Sequence, residues 1–497
     1  MLPFIARTTW PIRILIALSL GLMCALSSTI LAFADVNLVQ LSSDPLTNST
    51  GQHKTEVEPD TFAFGSTLVS AFQVGRAFGG GASGIGFATS TDGGTSFTNG
   101  FLPDTTPFST PPSSTYFGAS DPSVAFDAKH GVWLISFNAG EVAQAPGGKP
   151  IIDVLVSRST DGLTWSNPVL VKADGHFNDK DWIVCDNTAS SPHYGNCYIE
   201  FDDASIADLI LMSTSSDGGL TWGAALPTAD HGHGLGGQPL VQPNGTVIVP
   251  LEGFAGLNDK DIVSFTSTDG GASWSRVTKI AAVRFHTPAG TIRAGILPSA
   301  EIDASGKVYV VWPDCHFEVG CSANDLVFST SSDGNTWSRV TRIPLDAIGS
   351  GVDHFIPGLA VDPATSGGGT HLVVTYYYYP VANCTSATCQ LDVGTSTSAD
   401  GGASWTSNTR LAGPMSLSWL ANTSLGVMVG DYLSTSFVGG PAFAVFAVAQ
   451  APNGSTFKEA IYTVSGGVSV GGSPQVATDR FAAGSNDTLT GSSLTAQ

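Results

Sequence analysis

The chain has 497 residues, 58 of them glycine, and its 20 basic and 41 acidic side chains give a formal net charge of −21. Such an acidic surface repels nucleic acid and anionic lipid, so neither is an expected partner. Abundant glycine, with aromatic and β-branched residues throughout, predicts a turn-rich all-β protein.

A secretory signal is predicted over residues 1–34. Arg7 and Arg13 supply its positive charge, residues 14–33 form an apolar run, and Ala32 and Ala34 are the small residues expected before a cleavage site. A membrane anchor is the alternative that the length of the apolar run allows. Because polar sequence follows Ala34 at once, we expect cleavage and a secreted, extracellular protein without a stable membrane anchor.

Six short segments of nearly the same sequence recur along the chain, each a Ser-x-Asp-Gly turn followed by Ser or Thr and a large aromatic residue. They occupy residues 90–97, 159–165, 215–222, 267–274, 331–337 and 398–405. A short Asp side chain can accept hydrogen bonds from the backbone of its own turn, and Gly adopts positive φ without steric cost. Each segment therefore predicts the tip of a hairpin, against which we expect the aromatic ring to be buried.

This pattern resembles the Asp box, or bacterial neuraminidase repeat, of sialidases and other secreted β-propellers. The resemblance implies four-stranded blades, with the box at a blade corner away from the catalytic face. A structural role is therefore assigned to Asp92, Asp161, Asp217, Asp269, Asp333 and Asp400.

A second repeat precedes these turns and completes a unit of four strands. Its short apolar strands begin near Glu58, Asp121, Asp181, Gln238, Leu297, Ile356 and Val429. The seventh unit lacks the Ser-x-Asp-Gly turn, and residues 36–41 alternate like an outer strand, so we expect them to complete its sheet. The sequence predicts a seven-bladed β-propeller over residues 35–465, with six blades as the alternative, and a Gly-, Ser- and Thr-rich tail over residues 466–497.

Six cysteines follow the signal in close pairs. An even number of paired cysteines in an exported chain predicts three local disulfides, Cys185 with Cys197, Cys315 with Cys321, and Cys384 with Cys389. A zinc site is the alternative, but the spacing lacks the paired C-x-x-C form.

Candidate site residues lie in the loops that a propeller gathers on one face, around its channel. The sialidase resemblance implies arginines that bind a substrate carboxylate, a Tyr nucleophile helped by a carboxylate that lowers its pKa, and an Asp as acid and base. The residues assigned to substrate binding are Arg76, Arg284 and Arg293. Those assigned to catalysis are Asp121, Asp181, Tyr432 and Glu252.

The segment Asn-Asp-Lys-Asp occurs at residues 178–181 and again at 258–261. Its oxygen atoms suit Ca²⁺, whereas its Lys opposes a cation, so no cofactor is predicted and Ca²⁺ is kept as an alternative. His231 and His233 lack a nearby third ligand for a transition metal.

Three functions are compatible with the sequence: an exo-α-sialidase-type glycoside hydrolase acting on extracellular glycans, a glycan-binding propeller without catalysis, and a polysaccharide lyase. Whether the chain is an enzyme is left open. The lyase alternative depends on bases among His176, His286, His316 and His354, with an arginine to neutralise a uronate carboxylate. In each case we expect a monomer whose partner is an extracellular glycan or polysaccharide.

Overall fold

A computed structural model describes residues 36–144, 150–254 and 260–471. The described residues belong to one compact unit, and the predicted signal lies outside them. The described chain is all-β, built of antiparallel sheets. No helix within these ranges is long and apolar enough to cross a membrane.

The N-terminal half begins with β1 and continues through three sheets. The short strand β1 covers Leu38–Gln40. An eight-stranded sheet follows, made of β2 (Glu56–Phe64), β3 (Thr67–Arg76), β4 (Ala82–Ser90), β5 (Thr98–Phe101), β6 (Tyr116–Asp127), β7 (Val132–Gln144), β8 (Pro150–Ser159) and β9 (Val169–Lys172). The next sheet contains β10 (Asn178–Cys185), β11 (Cys197–Asp203), β12 (Leu209–Ser215) and β13 (Leu226–Pro227). The third contains β14 (Gly234–Leu235), β15 (Leu240–Val241), β16 (Val247–Phe254), β17 (Lys260–Ser267) and β18 (Thr278–Ala282).

The C-terminal half holds three further sheets and a hairpin. The first sheet contains β19 (Ser299–Ile302), β20 (Val308–Asp314), β21 (Asp325–Ser331) and β22 (Thr341–Arg342). The second contains β23 (Asp353–Val361), β24 (Leu372–Tyr379), β25 (Gln390–Ser398) and β26 (Thr409–Ser416). The hairpin is β27 (Ala421–Thr423) with β28 (Gly426–Met428), and the last sheet contains β29 (Ser434–Phe437), β30 (Ala442–Ala449) and β31 (Glu459–Val464). Short 3-10 turns cover Ala204–Ile206, Ala289–Thr291, Val319–Cys321, Gly367–Gly369 and Leu417–Trp419.

Side chains of strand β2 contact β6, another strand of the same eight-stranded sheet, and β29 of the last sheet. The Asp60 carboxylate on β2 accepts hydrogen bonds from Ser123 Oγ and Val124 N on β6, at 3.0 and 2.7 Å. On the other side of β2, Ser436 Oγ on β29 donates to the Thr61 carbonyl at 2.9 Å. Strand β2 thus lies between β6 and β29, so the first and last sheets of the chain are neighbours.

The apolar core is divided among the spaces between sheets. One cluster joins Tyr309 and Val311 of β20 to Leu359 of β23 and Val374 of β24. Another joins Tyr198 of β11 to Trp274, which follows β17. Alternate residues of a strand point to opposite faces, so each of these strands packs on both neighbours.

The N-terminal strand completes the last sheet, as the sequence predicts. Strand β1 pairs antiparallel with β31, with Leu38 opposite Val464. Leu41, just after β1, is fully buried and its N–H donates to the Ile461 carbonyl at 2.8 Å. Val468, within the predicted tail, is also buried and pairs with Ala442.

The six Ser-x-Asp-Gly turns share one hydrogen-bonding pattern. In the fourth, Ser267 Oγ donates to Asp269 Oδ1 at 2.8 Å, and the same oxygen accepts from Ser273 N at 3.0 Å. The predicted role of the Asp side chain is confirmed. Burial of the aromatic ring varies, because Trp165 and Trp274 are buried, whereas the rings at the other turns remain partly exposed, namely Phe97, Trp222, Trp337 and Trp405.

All three predicted disulfides are present. Cys185 is bonded to Cys197, Cys315 to Cys321, and Cys384 to Cys389. The zinc alternative is therefore wrong for these six residues. Disulfides of this kind fit an extracellular protein.

Candidate functional site

A backbone irregularity recurs at the start of three neighbouring first strands. Glu58 on β2, Asp121 on β6 and Lys180 on β10 have positive φ angles of 59°, 50° and 52°. Each lies at a β-bulge, where the pairing register shifts. Positive φ is strained for residues other than glycine, and such strain is concentrated at functional sites. The bulges place these three charged side chains at equivalent positions of three strands, β2 and β6 of the eight-stranded sheet and β10 of the next sheet.

Their side chains meet in a cluster that we call the charged centre: Glu58, Asp121, Lys180, Arg293 and Asp431. Lys180 Nζ lies 2.7 Å from Asp121 Oδ1, 2.6 Å from Asp431 Oδ2 and 3.5 Å from Glu58 Oε1. Arg293 forms an ion pair with the same Asp431 oxygen. The lysine side chain is only 6% exposed and that of Arg293 is 21% exposed. Arg293 is therefore the cation of the cluster that solvent reaches best.

Further hydrogen bonds fix Glu58. The Gln73 amide donates to Glu58 Oε2, and the backbone N–H of Asp431 donates to Oε1 at 3.2 Å. Arg76 lies nearby and is buried, with its guanidinium donating to the Gly81 carbonyl. The Arg76 guanidinium thus already donates to an acceptor within the protein.

The carboxyl groups of the charged centre have pKa values moved in opposite directions. Burial raises the pKa of Glu58 to about 7, and Asp121 and Asp431 add to the shift while Lys180 opposes it. Burial would also raise the pKa of Asp431, but Lys180 and Arg293 more than offset burial and lower it to about 2. Lys180 likewise lowers the pKa of Asp121 against the effect of burial. Neighbouring carboxyl groups shifted apart in this way can serve as acid and base.

Tyr432 is buried beside this cluster. Its hydroxyl donates to the Pro122 carbonyl at 3.2 Å, and its ring meets the edge of Trp182 with centroids 5.1 Å apart. Burial raises the pKa of Tyr432 well above its usual value, and the charges of Glu58 and Asp121 raise it further. The shift is opposite to the one expected from the sequence, because a carboxylate near a buried phenol disfavours its ionised form. Tyr432 is a neutral phenol here.

Asp181 follows Lys180 in the chain and is buried. Burial raises its pKa well above the usual value, and the charges of Asp121 and Asp179 add to the shift. Asp181, Lys180, Trp182 and Tyr432 line a void of about 10 Å³. Such a void holds at most one water molecule.

Two of the predicted site residues lie elsewhere. Glu252 on β16 is buried and forms an ion pair with Lys260 at 2.7 Å. Arg284 is exposed, and its carbonyl accepts a hydrogen bond from Cys315 N at 2.8 Å. Within the described residues neither side chain contacts the charged centre.

Several histidines on loops form pairs with carboxylates. His286 Nδ1 lies 3.0 Å from Asp353 Oδ2, and Asn324 donates to the other oxygen of Asp353 from both its backbone and its side chain. The hydrogen bond that the His286 ring donates to the Asp353 carboxylate raises the pKa of His286. His176 and His316 form similar pairs, at 2.6 Å, with Asp203 and Asp314. Because the carboxylate engages Nδ1, the Nε2 atom of each ring is left for another partner.

His354 differs from these histidines. It is buried, its Nδ1 lies 3.2 Å from the Asn324 carbonyl, and burial lowers its pKa. The sequence placed it among the possible bases, but it does not reach solvent.

The Ca²⁺ alternative does not fit the first Asn-Asp-Lys-Asp segment. Lys180 occupies the position between carboxylates that a metal ion would need. Asn258 and Asp259 of the second segment lie outside the described residues. Two other groups have suitable ligand types, Asp174 with His176 and Asp203, and Asp325 with Asp346 and His354. A cation already pairs with each group, since Lys172 contacts Asp174 and Arg342 contacts Asp325 and Asp346.

Comparison with known proteins gives structural likeness only. No family model matches the sequence, and no curated protein matches it. Among solved structures, the chain is similar to an ulvan lyase, a polysaccharide lyase bound to -[GlcA(1-4)Rha3S]-, with 12% identity and a TM-score of 0.52 over 87% of this chain and 97% of the lyase. A protein of unknown function from Dyadobacter fermentans has 16% identity and a TM-score of 0.45 over 73% of this chain and 99% of its own. A Hadza microbial sialidase has 16% identity and a TM-score of 0.42, over 83% of this chain and 66% of the sialidase. The likeness to the lyase supports the fold.

Proposed function

We propose that the protein acts on extracellular glycans at the charged centre, and that the reaction is hydrolysis of an anionic sugar of the exo-α-sialidase type. The observation that carries this proposal is the convergence of Arg293, Tyr432 and carboxyl groups with opposite pKa shifts at one place. Asp121 and Asp181 lie at the same place, because Asp121 pairs with Lys180 and Asp181 is the next residue after Lys180. Asp121 and Lys180 are 59 positions apart in the chain. Five of the seven residues assigned from the sequence thus lie in or beside one cluster, Arg76 among them.

Each residue can be given a role that its surroundings allow. Arg293, partly exposed, would exchange Asp431 for the carboxylate of the sugar, since a guanidinium fork binds either group. Asp181, kept protonated by its raised pKa, is the proton donor to the leaving oxygen. Tyr432 is the nucleophile only if a base removes its proton during the attack, and Glu58 is the nearest candidate. Asp121 is ionised and therefore holds Lys180 in place.

We also infer a seven-bladed β-propeller. The eight-stranded sheet divides into two four-stranded blades, because β4 and β6 are joined by the single pair Ala82 and Ala119. The other five sheets each supply one blade, and β1 is the fourth strand of the last. The contact of β2 with both β6 and β29 supports a closed ring. An experimental structure that shows another number of blades would refute this count.

Secretion and a monomeric state complete the proposal. Three disulfides favour an oxidising compartment. N-terminal sequencing of the exported protein should begin at Asp35, and sedimentation should give the mass of one chain. An uncleaved N-terminus would favour the membrane anchor.

Hydrolysis of an aryl sialoside by the purified protein tests the reaction. Wild-type turnover is expected, with a loss of about 10²-fold or more in Asp181→Asn, which removes the proton donor. Arg293→Ala should raise KM, because it removes binding of the carboxylate. The matched control is Arg276→Ala, which removes an exposed arginine outside the charged centre. No turnover by the wild type would refute the hydrolase, and retained glycan binding would then favour a binding module.

A polysaccharide lyase is the second candidate, favoured by the geometry of His286. Asp353 and Asn324 hold its ring so that Nε2 is the free atom, as a general base requires. Arg284 is exposed two residues earlier in the same loop, where it could neutralise a uronate carboxylate.

The lyase is tested with a uronate polysaccharide, beginning with one that contains -[GlcA(1-4)Rha3S]-, the ligand of the similar lyase. Removal of the proton next to the carboxylate and loss of the 4-O leaving group create an unsaturated uronate, which absorbs ultraviolet light. His286→Ala should abolish this product, whereas His371→Ala is the matched control for loss of a partly exposed histidine that pairs with a carboxylate. Absence of the unsaturated product with the wild type would refute the lyase.

A further inference from the structure

A cavity of about 900 Å³ occupies the space between the first strands, and the proposed function makes no use of it. Its wall includes parts of β2, β10, β15, β19, β23 and β29, and it extends to the turns that follow these strands, such as Gly439 and Gly440. Trp182 lies at its other end, because the same residue also lines the small void next to Lys180 and Tyr432. The cavity is thus separated from the charged centre by the Trp182 and Tyr432 rings.

The charge of the wall has one sign. Four carboxyl residues line the cavity, Asp60, Glu301, Asp303 and Asp362, and the described lining includes no Lys, Arg or His. Burial raises the pKa of Asp60 to about 6. Burial also raises the pKa of Glu301 to about 8, and the charge of Asp60 adds to that shift. A cation between these two groups would relieve their repulsion.

Aromatic side chains lie on the same wall. Phe62, Phe64, Trp182 and Phe437 are all lining residues. The face of an aromatic ring attracts a cation, and the effect is strongest where water is excluded. Carboxylates together with several aromatic rings suit an organic cation better than a metal ion, which would need more oxygen ligands.

A buried amide supplies the last feature. Gln238 is 6% exposed, and its Oε1 accepts a hydrogen bond from Ala300 N at 2.8 Å. Its Nε2 makes no hydrogen bond to any residue that the structure describes, although Gln238 lines the cavity. Because Gln238 lines the cavity, its Nε2 can donate to the oxygen of a ligand there.

From these observations we propose that the cavity is a second binding site, which takes a small organic cation of the quaternary ammonium class carrying a hydroxyl or carbonyl oxygen. The cation lies against Trp182 and the phenylalanine rings. Asp60 and Glu301 are its counter-charges, and Glu301 releases its proton to solvent when the cation binds. Its oxygen accepts from Gln238 Nε2. The volume is within the range of small-molecule sites.

Calorimetric titration of the full chain with choline chloride tests this proposal. The matched ligand is 3,3-dimethylbutan-1-ol, which has nearly the same shape and no charge. We expect saturable binding of choline at one site, with the alcohol about tenfold or more weaker, because only the cation gains from carboxylates and rings. This comparison needs no variant, so it does not depend on the folding of one.

Two variants then locate the site. Glu301→Gln keeps the shape of the side chain and should weaken choline about tenfold or more, while leaving the alcohol unchanged. Asp230→Asn removes the same charge from an exposed residue outside the cavity and should leave choline binding unchanged. The proposal is overturned if choline does not bind saturably, if the alcohol binds equally well, or if Glu301→Gln has no larger effect than Asp230→Asn.

Discussion

Lys180 Nζ lies 2.6 Å from Asp431 Oδ2, although the two residues are 251 positions apart in the chain. The contact connects the first strand of one sheet to the residues that precede the last sheet. It also buries a full positive charge among carboxylates, which is tolerated only where the pairing is complete.

Replacement of Lys180 by Met should therefore destabilise the protein strongly. The variant leaves Asp121 buried without its cation and leaves Asp431 with Arg293 alone. Breaking a buried ion pair in this way costs about 3–5 kcal/mol. Urea unfolding followed by tryptophan fluorescence measures the loss. The matched control is Lys279→Met. The Lys279 ammonium group pairs with Asp261 at 2.8 Å, but the side chain is 56% exposed, so the loss of stability should be about 1 kcal/mol or less. Equal effects of the two changes would contradict the burial of Lys180.

Stability should fall as pH rises from 5 to 8. Glu58, Glu200 and Glu301 have folded pKa values of about 7, 8 and 8, above the ordinary value of 4.5. A group with a raised pKa holds its proton more tightly in the folded chain, so it favours folding at low pH and loses that effect as pH rises through the folded value. The lowered pKa of Asp431 changes the free energy of unfolding only at pH values below 5. Urea unfolding at several pH values measures the slope, and a slope of zero or of opposite sign would reject the assignment.

Glu200→Gln should make this slope shallower by about one proton. Glu200 is fully buried, and burial is the main cause of its raised pKa, opposed by a hydrogen bond from Gly237 N. An amide can keep that hydrogen bond and cannot titrate. Asp230→Asn, at the surface, controls for the change in net charge. If the slope of Glu200→Gln equals that of the wild type, Glu200 is not one of the groups responsible.

Trp274→Ala should cost about 3–5 kcal/mol, because a large buried ring is removed. The ring packs against Tyr198 of the preceding sheet and Phe265 of its own, with centroids 6.2 and 5.6 Å apart. Leu220→Ala, at an equivalent turn but with Leu220 55% exposed, should change stability by about 0.5 kcal/mol or less. Thermal unfolding of both variants measures the two losses of stability. If Trp274→Ala lost no more stability than Leu220→Ala, the packing of the Trp274 ring across two sheets would not contribute to stability.

The disulfides should differ in their contribution. Cys185 and Cys197 are separated by 12 positions, and loop closure of that length is worth about 3 kcal/mol, against about 2 kcal/mol for Cys384 and Cys389, separated by 5. Serine double variants of each pair, compared by urea unfolding, measure both values. The mature wild-type protein, denatured without reductant, should contain no free thiol. If loss of the Cys384–Cys389 disulfide cost more stability than loss of the Cys185–Cys197 disulfide, the entropy of loop closure would not be the main contribution of these disulfides.

Much of the fold could be predicted from local signals in the sequence. The Ser-x-Asp-Gly turns and the cysteine pairs are close in sequence, and each is read from a few residues. The position of residues 36–41 is harder to predict, because their partner strand lies at the other end of the chain and ends at Val464. They could be assigned because the last unit lacks a fourth strand.

The charged centre was only partly predictable. From the sequence, Asp121 is assigned to catalysis and Arg293 to substrate binding, whereas Lys180 is only an argument against a metal site. The sequence does not indicate that Lys180 joins the carboxylates of the cluster. Its place depends on a bulge with positive φ at Lys180, and lysine is not a residue whose presence signals that conformation. The sign of the Tyr432 pKa shift depends on burial, which a sequence without coordinates does not reveal.

The pairing of β1 with β31 also has a consequence for biogenesis. Gln40 and Tyr462, hydrogen-bonded to each other, are 422 residues apart. A ribosome or an export channel releases the N-terminal strand early and its partner very late, so the last sheet cannot be completed while the polypeptide is still emerging. Until then both strand edges are free to pair with other chains. We expect that the exporting cell must shield this pair of edges, and that polypeptides terminated before residue 459 accumulate as aggregates or are degraded.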